Sequence, residues 1–382
     1  MLKLRVADLV QDYPILRIRQ VGSKLECELT NPTSMQIPGI EVKPWQQKAK
    51  KIHCHYMEIL RMVGGLEQPN IKDFMKGLKT LGREIGDILR VILENLAFEI
   101  RKDCSLALAL DDEMVKIPWE LGLLPKSFTG EKDRKFLCDI ACIGRLRVVK
   151  SDSWKPSPKK RKSGRALVVG INYNRSKKDS RRGLRELEHA EEEAEEVTEI
   201  LSHHDMRVTK LLGPKATSRS VLKELRQGVD IFHFTGHGGT SWNKSKICLW
   251  DKDLWAKDLE RSLEYSNSPA PSLSFINACE TSVDIHRKGK VTWAPYSWAF
   301  ALANQDGSVF IGTLWSVYEE EALQFAKSFY TKFLGFKNKS LAKAMHDARI
   351  EAKRRGSNAI LSWPAYVLYG PPTLNHDLLL AK

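Results

Sequence analysis

Short apolar strands alternate with amphipathic helices from residue 165 onward, which predicts an α/β protein whose parallel-rich sheet is flanked by helices and preceded by a smaller lobe. Two further observations fit this class. The chain has 382 residues, 42% hydrophobic and 28% charged, enough apolar material for a sizeable core and unlike a collagen-like, fibrous or mostly disordered composition. Residues 151–164, SDSWKPSPKKRKSG, are polar, carry two prolines and show no periodicity, so they read as an exposed linker between two lobes.

The elements follow in order. From Tyr13 to Thr30 the residues alternate, with Leu25, Cys27 and Leu29 on one face, Glu26 and Glu28 on the other, and Gly22-Ser23 as the turn of a hairpin. After Pro69-Asn70, apolar residues recur every three or four positions from Ile71 to Ile92, the stripe of a helix packed on one side. Ser105 to Leu110 is a short apolar strand leading into Ile117-Pro118-Trp119-Glu120-Leu121. Beyond the linker, strands are expected at 165–171, 206–212, 229–235, 273–278, 308–314 and 365–369, with helices at 184–201, 218–227, 296–304, 319–334 and 338–354. In the first of these helices Leu184, Leu187, Ala190, Ala194, Val197 and Leu201 form the buried stripe and the glutamates face water. The domains expected are a β-rich extension at 1–45, a first lobe at 46–150, the linker, and a second lobe at 165–382.

Charge and cysteine usage narrow the class. Sixty-one basic and 47 acidic residues give a net charge of +14, but the charge is blocky. Residues 155–165 hold six basic side chains, whereas Leu184 to Leu201 hold eight glutamates. A nucleic-acid partner is therefore not indicated, because no basic face interleaved with aromatics runs along the chain. Seven cysteines at irregular spacing read as reduced thiols, not as a secreted disulfide framework. No stretch approaches the roughly 20 apolar residues of a membrane span, and the start lacks an apolar leader, so a cytoplasmic location is the expectation. No cofactor is expected: phosphate-binding glycine motifs are absent. His53-Cys54-His55 and the pair Cys138 and Cys142 lack the spacing of a structural zinc site, and alternation along strands explains them more simply.

Chemistry in an open parallel sheet gathers at the carboxyl ends of the strands, where loops share one crevice. Two strands end there on reactive residues: one delivers Gly236-His237-Gly238-Gly239 and another Cys279-Glu280-Thr281-Ser282. An imidazole beside a thiol takes its proton and leaves a strong nucleophile. The glycines after His237 admit a peptide carbonyl, and the backbone N–H groups of Gly238 and Cys279 can form an oxyanion hole. Either residue alone is better read as a buried thiol or a core histidine; their occurrence together at consecutive strand ends reverses that preference and favours catalysis.

The ordered segments ALVVGINYN, LRELEHAEEEAEEV, LLGPKAT, VDIFHFTGHGG, SLSFINACETS, GSVFIGTLWSV and SWPAYVLYG, with IPWEL upstream, resemble those of CHAT-domain proteins, caspase-like cysteine proteases related to separase. The resemblance runs from about residue 50 to 375. It implies a caspase-like fold preceded by a degenerate, non-catalytic lobe, with His237 as general base and Cys279 as nucleophile. It implies further that Asn277 lines the primary specificity pocket, that Trp315 and Ser316 border the substrate, and that Glu319 is the pocket acid for an arginine or lysine. A solvated glutamate at a helix start is an equal reading of Glu319. The expected activity is regulated limited proteolysis of a protein partner, with a regulatory protein acting in trans and bacterial defence, through a gasdermin-like pore former, as one context. A catalytically silent scaffold on the same fold is the alternative.

Overall fold

The computed structural model describes residues 13–31, 34–42, 45–64, 69–96, 98–130, 133–147, 164–173, 184–241, 244–279, 284–285, 291–292, 298–299, 301–302, 308–336, 339–356 and 358–376. The expected linker, save Gly164, lies outside them, as does most of the helix expected at 296–304. The chain divides into two compact units, Met1–Lys155 with Pro371–Thr373 and Pro156–Gly370 with Leu374–Lys382.

The first unit opens with β1 (Ile15–Val21), β2 (Lys24–Asn31) and β3 (Ser34–Val42). Val21 pairs with Lys24 across the two-residue turn, where Gly22 takes a φ of 61° that a side chain disfavours. Helices α1 (Trp45–Val63) and α2 (Ile71–Asn95) follow, and the Asn70 side chain caps α2 by accepting from the Lys72 N–H at 2.8 Å. His53, Cys54 and His55 lie on α1, not on a strand: Ile52, Tyr56, Ile59 and Leu60 are its buried stripe, and helical spacing overrides the short alternation. The unit continues through β4 (Ser105–Leu110), the short pair β5 (Leu123–Leu124) and β6 (Lys135–Phe136) around the one-turn α3 (Lys126–Thr129), and β7 (Cys142–Arg147). Its sheet runs β7-β4-β1-β2-β3, with β1 parallel to β4 and β4 parallel to β7. The residues expected as a separate amino-terminal extension thus share a sheet with the first lobe.

Two features fix the IPWEL segment. Glu120 and Arg145 form a buried, bidentate ion pair with both contacts at 2.6 Å, and the guanidinium also donates to the Val115 and Ile117 carbonyls. Gly82 and Gly86 of α2 leave a notch for the chain beyond Trp119, since a Cβ at Gly86 would stand 2.3 Å from the Leu123 carbonyl oxygen.

The second unit is the larger sheet. Its strands are β8 (Arg165–Gly170), β9 (Arg207–Leu212), β10 (Ile231–Ser241), β11 (Lys244–Cys248), β12 (Asp253–Trp255), β13 (Leu273–Cys279), the isolated pair β14 (Asp284–Ile285) and β15 (Val291–Thr292), then β16 (Val309–Thr313) and β17 (Tyr366–Tyr369). Its helices are α4 (Ala190–His203), α5 (Ser218–Arg226), α6 (Ala256–Tyr265), α7 (Glu319–Gly335), α8 (Leu341–Arg355) and the one-turn α9 (Ala359–Ser362). The order β9-β8-β10-β13-β16-β17 is parallel as far as β16 and closes with antiparallel β17. The far half of β10 leaves this register and pairs with antiparallel β11, which pairs with β12. Among the described residues no helix is long and apolar enough to cross a membrane.

Two expectations are corrected here. The helix expected from Leu184 begins at Ala190, because the preceding residues find partners outside any helix: the Leu187 N–H donates to the Asn172 carbonyl at 2.8 Å. The Asn172 side chain then accepts from the Glu191 N–H at 2.8 Å. Nor do all the glutamates of α4 face water, since Glu193 is only 2% exposed.

Candidate active site

Strands β10 and β13 are adjacent and parallel, and their register sets Thr235 beside Asn277, Gly236 beside Ala278 and His237 beside Cys279. Both chains are driven into the sheet by apolar residues, Ile231, Phe232 and Phe234 on one and Phe275 and Ile276 on the other. The two reactive residues therefore meet at neighbouring strand ends, as their sequence positions imply. Cys279 is described by its backbone; its side chain, and Glu280, Thr281 and Ser282, lie outside the described residues.

His237 is held from two directions. Its Nε2 lies 2.7 Å from the carbonyl oxygen of Arg185. A carbonyl can only accept, so Nε2 is the donor in this contact, and a neutral imidazole bonded in this way has its lone pair on Nδ1. Its backbone N–H donates to the Tyr173 hydroxyl at 3.0 Å, and that hydroxyl donates to the Cys248 carbonyl on β11. The rings of Tyr173 and His237 are 4.8 Å apart. Tyr173 is buried in the left-handed backbone region at a φ of 55°, a sparsely populated conformation of the kind that clusters at functional sites. Gly236 makes room for it: a Cβ there would stand 2.9 Å from the Tyr173 oxygen.

A buried polar network lies among the strands before His237 and Cys279. Glu193 accepts from Asn277 Nδ2 at 2.8 Å and Thr235 Oγ1 at 3.1 Å, and meets His233 Nε2 at 3.0 Å. The Asn277 side-chain oxygen Oδ1 accepts from the Tyr366 hydroxyl at 3.2 Å, and the Tyr330 hydroxyl meets His233 Nδ1 at 3.4 Å. Burial, aided by the Glu193 charge, pushes the Tyr330 phenol well above its ordinary range. With donors supplied on β10 and β13, the carboxylate ties the two site strands together.

The remaining expected site residues are dispersed. Asn277 is 4% exposed with both ends of its amide engaged, and Trp315 is buried with its indole N–H on the Leu361 carbonyl at 2.9 Å. Ser316 is half-buried, and Gly238 lies in the β10–β11 ladder opposite Ile247. Glu319 opens α7 with its carboxylate 2.8 Å from the Arg185 guanidinium and 3.4 Å from the His189 N–H. Sequence reasoning missed Tyr173, Arg185 and Glu193. The first two act through backbone geometry that carries no periodic signal; the third resembles its solvated neighbours, and only its helical phase with Ala190, Ala194 and Val197 marks it as inward-facing.

Among solved structures, the fold is similar to the Arg-specific cysteine proteinase gingipain R (RgpB), at 12% identity and a TM-score of 0.52, over 97% of this chain and 79% of that one. A complex of the pro- and mature domains of Porphyromonas gingivalis RgpB gives 13% identity and a TM-score of 0.50, over 87% of this chain and 79% of that one. The Saccharomyces cerevisiae separase–securin complex gives 13% identity and a TM-score of 0.46, over 95% of this chain but only 30% of that one. At these identities the likeness is one of fold. No curated protein sequence gives a match. The CHAT domain matches residues 79–371, and on that match the chain belongs to the CHAT-domain family, with the parallel-rich α/β fold of caspase-like cysteine proteases.

Proposed function

We propose that this chain is a cysteine endopeptidase performing limited proteolysis of a protein partner. The observation that carries the reading is the register of β10 and β13, which sets His237 beside Cys279, combined with an Arg185 carbonyl that orients the imidazole. In the proposed cycle the lone pair on His237 Nδ1 takes the Cys279 thiol proton, and the thiolate adds to the substrate carbonyl carbon. Backbone N–H groups of Gly238 and Cys279 hold the oxyanion, and the imidazolium returns its proton to the leaving amine. Water, deprotonated by the same imidazole, then releases the acyl group from sulfur. The Arg185 carbonyl stabilises the imidazolium that forms midway, because a hydrogen bond from a charged donor is the stronger one.

Asn277 and Trp315 spend their polar groups inside the protein, so in this reading they support the strand ends and Ser316 remains a substrate-facing candidate. The expected preference for arginine or lysine rested on Glu319 as a pocket acid. Because that carboxylate already pairs with Arg185, we do not assign the preference to it. Control by a second protein, and a role in defence, are extensions of the family resemblance.

Incubating candidate protein substrates with the wild type, Cys279→Ala and His237→Ala, and reading the products by mass spectrometry, tests the assignment. Breaking a nucleophile–base unit should cost about a thousandfold or more in turnover while both variants stay folded. Unchanged cleavage by either folded variant would sink the Cys–His assignment, and no cleavage by the wild type would favour the silent scaffold.

A further inference from the structure

Glu319 reaches the candidate base through one intermediary. Its Oε1 lies 2.8 Å from Arg185 Nη2, its Oε2 lies 3.4 Å from the His189 N–H, and the Arg185 carbonyl lies 2.7 Å from His237 Nε2. Residues 184–189 belong to no helix, so their path is fixed at discrete points: Leu187 on Asn172, and Arg185 and His189 on Glu319. Glu319 stands in the first turn of α7, a 17-residue helix anchored by a core that includes Phe325, Phe329 and Phe333, so its position is set by packing. Resting on the peptidase chemistry above, we propose that Glu319 is a positioning residue, holding the Arg185 segment so that its carbonyl fixes the ring of His237.

The charges are consistent with that role. A carboxylate receiving both a guanidinium and a backbone N–H fixes two points of one segment at once. The Arg185 side chain is 75% exposed, so the pair adds little to global stability; what it constrains is the placement of one carbonyl. Among the described residues, other groups near His237 include Tyr173 from the segment after β8, Cys279 opposite it on β13, and Lys246 of β11, whose stem runs beside Gly239 and whose ammonium pairs with Asp253 at 2.7 Å. Among these, Arg185 is the group placed to fix the proton on Nε2.

The test uses the full chain as wild type, Glu319→Gln, Arg185→Ala and Arg185→Lys. Nitrogen NMR of histidine-labelled protein, with the His237 signals assigned through His237→Gln, reports which ring nitrogen holds the proton. The iodoacetamide alkylation rate of Cys279 across pH reports the thiol without any substrate. The proposal expects the Nε2–H tautomer in the wild type and a mixture of tautomers in Glu319→Gln and Arg185→Ala. It also expects slower alkylation at neutral pH in both, and a fall in kcat of roughly tenfold to a hundredfold with KM little changed. Arg185→Lys restores part of each, and Tm stays near that of the wild type throughout. An unchanged tautomer and alkylation profile in both variants would overturn the proposal. In that event, a loss confined to basic peptides in Glu319→Gln would make Glu319 a specificity acid. A wild type that cleaves nothing would remove the peptidase reading while leaving the tautomer to decide the positioning role.

Discussion

Tyr173 shows how one hydroxyl can hold two chains: it accepts from the His237 N–H at 3.0 Å and donates to the Cys248 carbonyl. Tyr173→Phe keeps the ring beside His237 and removes only the oxygen, leaving a part-buried N–H and a buried C=O without that partner. We expect a loss of about 1–3 kcal/mol in denaturant unfolding together with a lower kcat/KM. Equal stability and activity in Tyr173→Phe would show that β10 holds its place by the ladder alone. The meeting of His237 and Cys279 at neighbouring strand ends was legible in the sequence because a histidine and a cysteine stood where apolar strands end. Tyr173 was not, because its placement depends on a left-handed backbone three residues past the end of β8 and on space left by Gly236, far along the chain.

Helix boundaries divide the same way. The start of α2 is readable because Asn70 supplies the cap locally, whereas the start of α4 is set by Asn172, a residue of another segment. Leu184 and Leu187 fit the helical stripe, yet the long-range partners win and leave the Arg185 carbonyl at the site. β11 and β12 escaped notice because KSKIC and DLW are too short and polar to show a period. The start of α5 offers an acid-sensitive case. Asp251 accepts from the Ser218 N–H at 2.7 Å and its hydroxyl at 2.9 Å. Burial pushes the Asp251 carboxyl up, but these hydrogen bonds outweigh it and hold the group below its ordinary range. A lowered folded value means the stabilisation is complete above the unfolded pKa of about 4 and is lost as the pH falls through the folded one. Thermal melts from neutral to acid pH should therefore show a shallower acid decline in Asp251→Asn than in the wild type, and matching curves would remove Asp251 from the acid response.

Across the whole chain the thiols provide a readout of the site that needs no substrate. Burial pushes the Cys104 thiol up to about 11 and raises Cys27 further, while Cys138, Cys142 and Cys248 are buried and Cys54 is exposed on α1. Iodoacetamide on the native protein should label Cys279 first, the exposed Cys54 next, and Cys104 and Cys248 far more slowly. Equal labelling of Cys279, Cys104 and Cys248 would count against an activated nucleophile. The two glycine clefts, one in each unit, carry a genetic consequence. At Gly236 an added methyl meets the tips of Tyr173 and Phe234, which a smaller side chain can vacate, so a defect in Gly236→Ala should be open to second-site suppression at position 173. At Gly86 the added methyl meets the main chain of Leu123, which every replacement of that residue retains. Revertants of Gly86→Ala should then return only by restoring glycine itself.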